Sequence, residues 1–166
     1  TKSSSLFRYF SMSAEEKKPG YLFSTLDNRC PRCRRGRIFT SSNPYKLQST
    51  LKMHPVCPVC SQPTEIEVGF YYGTAYVSYG LTVGFSVFTF IAWWLLFGIS
   101  VQEGDFRLLW WGIVNAVFLI VLQPVFMRFS RSLWLSWFVK YDPNWRTNSL
   151  SAESIERIVP EQMNNW

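Results

Sequence analysis

Apolar and polar positions divide this chain into a polar first part and a strongly apolar second part. No charged residue occurs between Val77 and Val101, and a second apolar run from Phe106 to Met127 contains one charge, Arg107, near its end. With a rise of about 1.5 Å per residue, each run is long enough to cross a hydrocarbon core of roughly 30 Å. The pattern therefore predicts a hairpin of two transmembrane helices. A buried hairpin in a soluble protein is the alternative, but 166 residues are too few to cover two such helices.

All four cysteines lie in the polar part, in two Cys-x-x-Cys pairs. Cys30 and Cys33 form the first pair, and Cys57 and Cys60 form the second, with a proline after the first cysteine of each pair. Two such pairs at this separation are typical of a site in which four thiolates bind one tetrahedral ion, normally zinc. Four thiolates also bind iron, as in rubredoxin, and two disulfides or free thiols are the remaining alternatives. His54 could replace a thiolate but is predicted to be a loop residue.

Short strand-like runs surround the cysteine pairs and predict a zinc-ribbon-like β domain. The runs cover 38–40 and 65–68, a turn is predicted at 41–44, and Tyr45–Met53 fits either a strand or a short helix. About 40 residues are too few for a good hydrophobic core, so a bound metal would stabilise this domain instead. The predicted fold class is therefore an integral membrane protein, an α-helical hairpin with a small zinc-ribbon-like β domain.

Small residues recur along both apolar runs and are predicted to be helix-packing positions. Gly73, Gly80 and Gly84 lie close to one stripe of the first helix. Gly112 and Ala116 form a small-x-x-x-small pair in the second helix. Such positions let another backbone approach closely, so they are expected to meet each other or a partner helix.

Two polar residues, Asn115 and Gln123, lie inside the second apolar run. They fit a hydrogen bond within the hairpin, but they equally fit a contact to a partner helix or a buried water. Neither run contains an acidic residue or a histidine, which argues against a proton channel or an ion pump.

The segment that follows the second run is amphipathic. Residues 128–140 place apolar side chains at helical spacing, so this segment either extends the second helix or lies in the membrane interface. Short helices are predicted near 13–16 and 151–159, and the N-terminal tail is expected to lie against a partner protein or a membrane surface. The predicted organisation consists of an N-terminal tail (1–28), the four-cysteine domain (29–68), the first transmembrane helix with its Gly-rich entry (70–101), the second transmembrane helix (106–127), and an interfacial helix with the C-terminal tail (128–166).

Positive charge is distributed unevenly along the chain, whose net charge is +6. Eleven Lys and Arg residues precede the first apolar run, none lies in the turn between the runs, and five follow the second run. The positive-inside rule therefore predicts that both termini and the cysteines are cytoplasmic, where reducing conditions favour bound metal over disulfides. Arginines surround the first cysteine pair and are expected to stabilise an anionic metal centre or to bind acidic lipid. Nucleic acid is the less favoured partner.

The order CPRC, NPYKL, CPVC and EIEVGFYYGTAYVSYG, followed by two apolar runs, resembles a bacterial membrane family called domain of unknown function 983, especially its Bacteroidota branch. The resemblance covers roughly Asn28 to Lys140. Many members have glycine directly after each cysteine pair, whereas this chain has Arg34 and Ser61. The family has no agreed activity. The resemblance implies a multi-pass protein of the bacterial inner membrane, and it points to a respiratory partner because members are often encoded near cytochrome oxidase genes.

The sequence shows no arrangement of residues typical of catalysis. It has one histidine, no Ser/His/Asp set, no phosphate-binding glycine loop and no carboxylate pair in an apolar site. A four-thiolate zinc site also has no open position for a substrate. The sequence therefore favours a non-enzymatic accessory or assembly subunit of a larger membrane complex, with zinc in a structural role.

From the resemblance, the partner complex is expected to be a haem-copper oxidase or its supercomplex. Other membrane subunits and membrane lipids are the expected partners, and no small-molecule substrate is expected. One alternative is a rubredoxin-like iron protein that transfers electrons. Another is a free-standing membrane zinc ribbon that binds a cytoplasmic partner.

Overall fold

The structure, a computed structural model, describes residues 20–98 and 104–150. Within these ranges the regular elements are α1 (Tyr21–Leu26), a 3₁₀ turn (Leu47–Ser49), a second 3₁₀ turn (Phe70–Gly73), α2 (Thr74–Phe97) and α3 (Arg107–Phe138). The short helices predicted near 13–16 and 151–159 lie outside the described residues.

The helices α2 and α3 pack side by side as an antiparallel hairpin. Aromatic rings meet along it, with ring centroids 5.8 Å apart for Phe85 and Phe126 and 5.1 Å apart for Phe90 and Trp111. Both pairs meet edge to face, an arrangement that is favourable beyond the area it buries. Bulky rings therefore set the distance between the two helices.

Asn115 links the two helices by hydrogen bonds within the hairpin. Its Oδ1 accepts from Thr89 Oγ1 at 3.0 Å, and its Nδ2 donates to Ser86 Oγ at 3.2 Å. Asn115 is 9% exposed, and a buried amide without such partners would be unfavourable. For this residue the structure selects the hydrogen bond within the hairpin from the alternatives that the sequence left open.

Both helices are long and apolar enough to cross a membrane. The first candidate span, including its 3₁₀ entry, has 28 residues (Phe70–Phe97), and the second has 32 residues (Arg107–Phe138). Few side chains in the most apolar stretch of each span are buried, and many apolar ones project outward. The core helices of a soluble protein cover such faces instead.

α3 continues well beyond the end predicted for the second apolar run. Of the two arrangements that the sequence allowed for residues 128–140, the structure has the extension, because α3 runs without interruption to Phe138. Residues 128–138 are called the α3 extension below. Its amphipathic face is used to hold the polar part of the chain.

The strands predicted at 38–40 and 65–68 are not formed. Across the described ranges, strand-like backbone pairing is limited to three isolated antiparallel bridges, Arg29 with Arg37, Phe39 with Met53, and Val56 with Pro63. Tyr45–Met53 contains only the first 3₁₀ turn. Tight cysteine turns and prolines interrupt the pairing before a ladder can extend, since proline cannot donate to one. The predicted β domain is therefore an irregular domain.

This cysteine domain, residues 29–68, packs against the α3 extension around one small core. Leu135 of α3 and Ile38 of the cysteine domain are both fully buried there. Beside them, Ser132 Oγ donates a hydrogen bond to the Thr25 carbonyl at 3.0 Å, which also joins the segment before the first cysteine to α3. The cysteine domain is thus packed directly onto the hairpin.

Candidate metal centre

The two cysteine pairs meet in one cluster inside the cysteine domain. Cys30 Sγ lies 3.6 Å from Cys60 Sγ, Cys33 Sγ lies 3.8 Å from Cys57 Sγ, and all four sulfurs lie within 4.8 Å of one another. Four sulfurs bound at about 2.3 Å to a central ion stand about 3.8 Å apart in a tetrahedron. The observed separations match that geometry, and all four cysteines are free rather than disulfide-bonded. The cluster therefore fits a tetrahedral metal ion.

The cluster is closed to solvent. Cys30, Cys33 and Cys57 are 1% exposed and Cys60 is 9% exposed. The same four donors suit zinc and iron, so the geometry shows a metal site without choosing the metal. His54 is not a member of the cluster, and its backbone N–H donates to the Ile38 carbonyl.

Each cysteine pair lies in a tight turn, and the two turns share one hydrogen-bond pattern. The N–H of Arg34 donates to the Cys30 carbonyl at 2.7 Å, and the N–H of Ser61 donates to the Cys57 carbonyl at 2.9 Å. Arg34 and Ser61 both have φ of 56°, the left-handed conformation that favours glycine. These are the two positions where the resembling family often has glycine. Here the turn keeps its geometry at the cost of some backbone strain, and the ligands still converge.

Gly36 brings the backbone of the first turn against a sulfur of the second pair. Its carbonyl accepts from the N–H of Cys30 at 2.7 Å. A Cβ at this position would lie 2.4 Å from Cys57 Sγ and 3.2 Å from the Val59 side chain. Only a residue without a side chain fits there. The role of Gly36 was not predictable from the sequence, because the contact joins residues that are far apart in the chain.

Gly36→Ala is therefore expected to weaken metal binding by about 10- to 100-fold, as is usual when groups around a metal ligand are disturbed. The added methyl group must displace the thiolate of Cys57 or move the first turn away. Competition with a chromophoric chelator on the full chain in detergent measures the effect. Gly20→Ala is the matched control, because a Cβ there would meet nothing within 4 Å. An unchanged affinity in Gly36→Ala would contradict the proposed contact.

Hydrogen bonds among the four thiols raise the pKa of some and lower the pKa of others. The hydrogen bond with Cys33 is the main cause that raises the pKa of the Cys30 thiol, and the same bond lowers the pKa of Cys33. Hydrogen bonding with Cys30 also lowers the pKa of Cys57 to about 7. A cation that binds must replace the remaining thiol protons, so metal affinity falls as the pH falls.

Two of the arginines near the first cysteine pair make structural contacts. Arg29 Nε lies 2.6 Å from a carboxylate oxygen of Asp27. Arg32 is buried, lies 3.5 Å from Asp142 and donates to the Asn148 carbonyl at 2.7 Å. Arg32 therefore ties the segment after α3 to the first cysteine turn.

Arg128, which the sequence analysis did not single out, clamps a loop of the cysteine domain onto α3. It is 3% exposed, and its guanidinium donates to the carbonyls of Thr50 at 2.7 Å, Ser41 at 2.9 Å and Asn43 at 3.0 Å. Its guanidinium carbon also lies 4.9 Å from the centre of the Phe39 ring. A planar guanidinium presents five N–H donors in a fixed fork and so reaches carbonyls on different sides, whereas the three donors of a lysine share one nitrogen.

Arg131, one turn further along α3, makes a second clamp. Its Nη1 donates to the Leu51 carbonyl at 3.0 Å, and its guanidinium carbon lies 4.9 Å from the centre of the Tyr71 ring. Residues three apart on a helix share a face. The spacing of Arg128 and Arg131 was therefore the one sequence feature that could have indicated a shared contact surface. In the sequence these arginines counted only toward the charge distribution.

Of the predicted packing residues, Gly73 makes a close contact in the structure. A Cβ at Gly73 would lie 2.2 Å from the indole ring of Trp134, and Trp134 Nε1 donates to the Phe70 carbonyl at 2.9 Å. This contact joins the entry of α2 to the α3 extension.

The other predicted packing positions have open space around them. A Cβ at Gly80, Gly84 or Gly112 would meet nothing within 4 Å, and Ala116 is exposed. The expected contact between these positions within the hairpin is not made, because the aromatic rings and Asn115 set the spacing of the helices. Contact with a partner helix stays a prediction.

The cysteine cluster and the contacts of Arg128 and Arg131 are identified from the distances given above. The resemblance to domain of unknown function 983 stays a prediction based on the quoted motifs. Comparison with protein-family models, with curated proteins and with solved structures found no match to this chain.

Proposed function

We propose that this chain is a non-enzymatic accessory or assembly subunit of a larger membrane complex, in which a zinc-stabilised domain is anchored on a transmembrane hairpin. The observation that carries the proposal is the closed cluster of four buried cysteines in a domain clamped onto one of two membrane-length helices. A tetrahedral ion with four thiolates has no open position for a substrate, which favours a structural role.

The outward-facing side chains of the hairpin support insertion in a membrane. Large apolar residues are exposed along both helices, among them Phe88, Leu95, Trp110 and Ile120. In water such a surface would drive aggregation, whereas in a bilayer it contacts lipid tails or partner helices. The Lys and Arg distribution favours a cytoplasmic position for the cysteine domain.

The connection between the two parts supports a role as a scaffold. Arg128 and Arg131 bind backbone carbonyls of the cysteine domain, and Gly73 packs against Trp134 of the α3 extension. The cysteine domain would therefore keep one orientation relative to the membrane. A fixed orientation suits a subunit that joins a membrane partner to a cytoplasmic one.

The open glycine positions supply a surface for a partner helix. Gly80 and Gly84 lie one turn apart on α2, and a Cβ at either position would meet no other described residue within 4 Å. In membranes, small residues at this spacing let two helices approach closely. A haem-copper oxidase or its supercomplex is the partner that the family resemblance suggests.

The proposal is tested by purifying the tagged full chain from native membranes in a mild detergent. Metal analysis and a visible spectrum are recorded on the same sample. We expect about one zinc per chain, together with membrane subunits that carry haem bands. Iron without haem would replace the proposal with the electron-transfer alternative. A colourless zinc protein without partners would replace it with a free-standing membrane zinc domain.

Gly84→Leu tests the surface that the partner helix is proposed to use. The added side chain should keep the partner helix away and reduce co-purification severalfold. Val121→Leu is the matched control, since Val121 is exposed on α3 and lies outside the glycine pair of α2. Equal recovery of partners with both variants would exclude the glycine surface as the contact.

A further inference from the structure

A cavity of about 400 Å³ lies between α2 and α3 at the end of the hairpin next to the cysteine domain. Its lining combines apolar surface with a group of polar residues, namely Thr74, Ser78, Thr82, Gln123, Ser130 and Arg131. A volume of this size is typical of a site for a small ligand or for part of a larger one. A mixed lining of this kind suits a ligand with one polar end and one apolar end.

Three hydroxyl groups of the lining already donate their protons to the backbone. Thr74 Oγ1 donates to the Tyr71 carbonyl at 2.6 Å, and Ser130 Oγ donates to the Met127 carbonyl at 2.9 Å. The third hydroxyl, that of Thr82, donates to the carbonyl of the residue one turn before it. These groups leave only acceptor oxygens toward the cavity.

The side chains of Ser78, Gln123 and Arg131 are among the donors that remain. In the part of the chain that the structure describes, the side chains of Ser78 and Gln123 make no hydrogen bond to other protein groups. A hydroxyl and an amide that lack partners inside a membrane hairpin are unfavourable unless a ligand or water satisfies them.

Arg131 adds positive charge to these donors. It is 9% exposed, and both of its hydrogen bonds within the described ranges use Nη1, so further N–H groups of the guanidinium are left over. Glu65 is the acidic group that acts on Arg131 electrostatically, and it does not line the cavity. One fixed cation and neutral donors favour a ligand that is anionic and accepts hydrogen bonds.

We propose that this cavity binds the phosphate of an anionic phospholipid, whose acyl chains lie along the apolar surface of α2 and α3. The inference rests on the proposed insertion of the hairpin in a membrane, because the cavity then lies near the cytoplasmic headgroups. Basic pockets between transmembrane helices on that side are typical sites for anionic lipid. A free phosphate shares the chemistry of the headgroup, but it has no chains to cover the neighbouring apolar surface.

The test uses the delipidated full chain with its metal bound, examined by native mass spectrometry. Phosphatidylglycerol and phosphatidylcholine with identical acyl chains are titrated in parallel, and inorganic phosphate is added as a competitor. We expect phosphatidylglycerol to bind about fivefold more tightly, the preference that one nearby cation provides. Millimolar inorganic phosphate should not displace it.

Ser78→Leu tests the cavity without changing the contacts that hold the rest of the fold. It fills the cavity with an apolar side chain and removes a free donor, while the contacts of Arg131 to the cysteine domain stay intact. The preference for phosphatidylglycerol should disappear in this variant. Val83→Leu is the matched control, because it adds a leucine to the exposed surface of the same helix outside the cavity.

The outcomes distinguish this inference from the proposed function. Equal binding of the two lipids, or an unchanged preference in Ser78→Leu, would overturn the lipid site even if the protein contains zinc and resists extraction from membranes. Displacement by inorganic phosphate would assign the cavity to a free anion instead. Absence of the chain from the membrane fraction would overturn the proposed function first.

Discussion

Cys30→Ser is expected to remove the metal and unfold the cysteine domain while the hairpin stays in the membrane. The variant replaces a thiolate whose sulfur lies 3.6 Å from Cys60 Sγ with a neutral hydroxyl, so a dithiol pair and part of the cluster's negative charge are lost. A structural zinc site contributes about 10–16 kcal/mol of apparent binding free energy, which exceeds the net stability of most small domains. The metal content should fall from about one ion per chain to under a tenth of that value.

Metal analysis of the purified full chain measures the loss, and limited proteolysis reports the unfolding of the cysteine domain. Alkaline extraction of membranes shows whether the hairpin is still inserted. His54→Ala is the matched control, because His54 lies beside the second cysteine pair without belonging to the cluster. Full metal content in Cys30→Ser would contradict the four-thiolate site, and metal loss in His54→Ala would place an imidazole among the ligands.

Arg128→Ala is expected to detach the cysteine domain from α3 without touching a metal ligand. The truncation removes three hydrogen bonds to loop carbonyls, of Thr50, Ser41 and Asn43, in a place where the arginine is 3% exposed. The bond to Thr50 is buried and those to Ser41 and Asn43 are partly buried. A buried carbonyl left without a donor costs about 1–3 kcal/mol, and a partly buried one costs less, so a total loss of about 2–3 kcal/mol is expected. The metal should still bind but should be released faster to an excess of chelator.

The rate of metal transfer to a chelator and hydrogen exchange of residues 41–50 measure this effect. Arg128→Lys keeps the charge, but its three donors share one nitrogen and cannot reproduce the fork that spans the three carbonyls, so it should recover only part of the stability. Lys52→Ala removes an exposed cation from the same domain and should change neither measurement. Equal transfer rates in Arg128→Ala and the unaltered protein would show that the clamp does not stabilise the domain.

Together the two variants separate two sources of stability in one small domain. Cys30→Ser removes the metal and leaves the arginine contacts, whereas Arg128→Ala removes one clamp and leaves all four ligands. If the domain depends on both, the effects of the two variants combined should not be additive, since they act on the same folded unit.

The hairpin was predictable from the sequence because its signals are local. Uncharged runs of membrane length need no knowledge of the rest of the chain, and α2 and α3 lie where those runs predict helices. The four ligands were predictable for a related reason. The spacing of Cys30 and Cys33, repeated at Cys57 and Cys60, encodes two turns of one kind, and both turns have the same hydrogen bond and the same left-handed residue.

The strands were not predictable in this way. Alternating residues near 38–40 and 65–68 suit strands, but a strand also needs a partner in register, and the turns allow only single bridges. The small residues of the hairpin show the same limit. Gly73 meets Trp134, while Gly80 and Gly84 have open space beside them within residues 20–98 and 104–150, although all three fit one stripe of a helix.

The two apolar helices and the four clustered cysteines can be read from local patterns, because periodicity, length and ligand spacing act over a few neighbouring residues. The folded chain was needed to show that α3 extends into the polar half, that Arg128 and Arg131 clamp that half, and that Gly36 lies against Cys57 Sγ. These features join residues that are 21 to about 90 positions apart, so their energies depend on packing that no local pattern records.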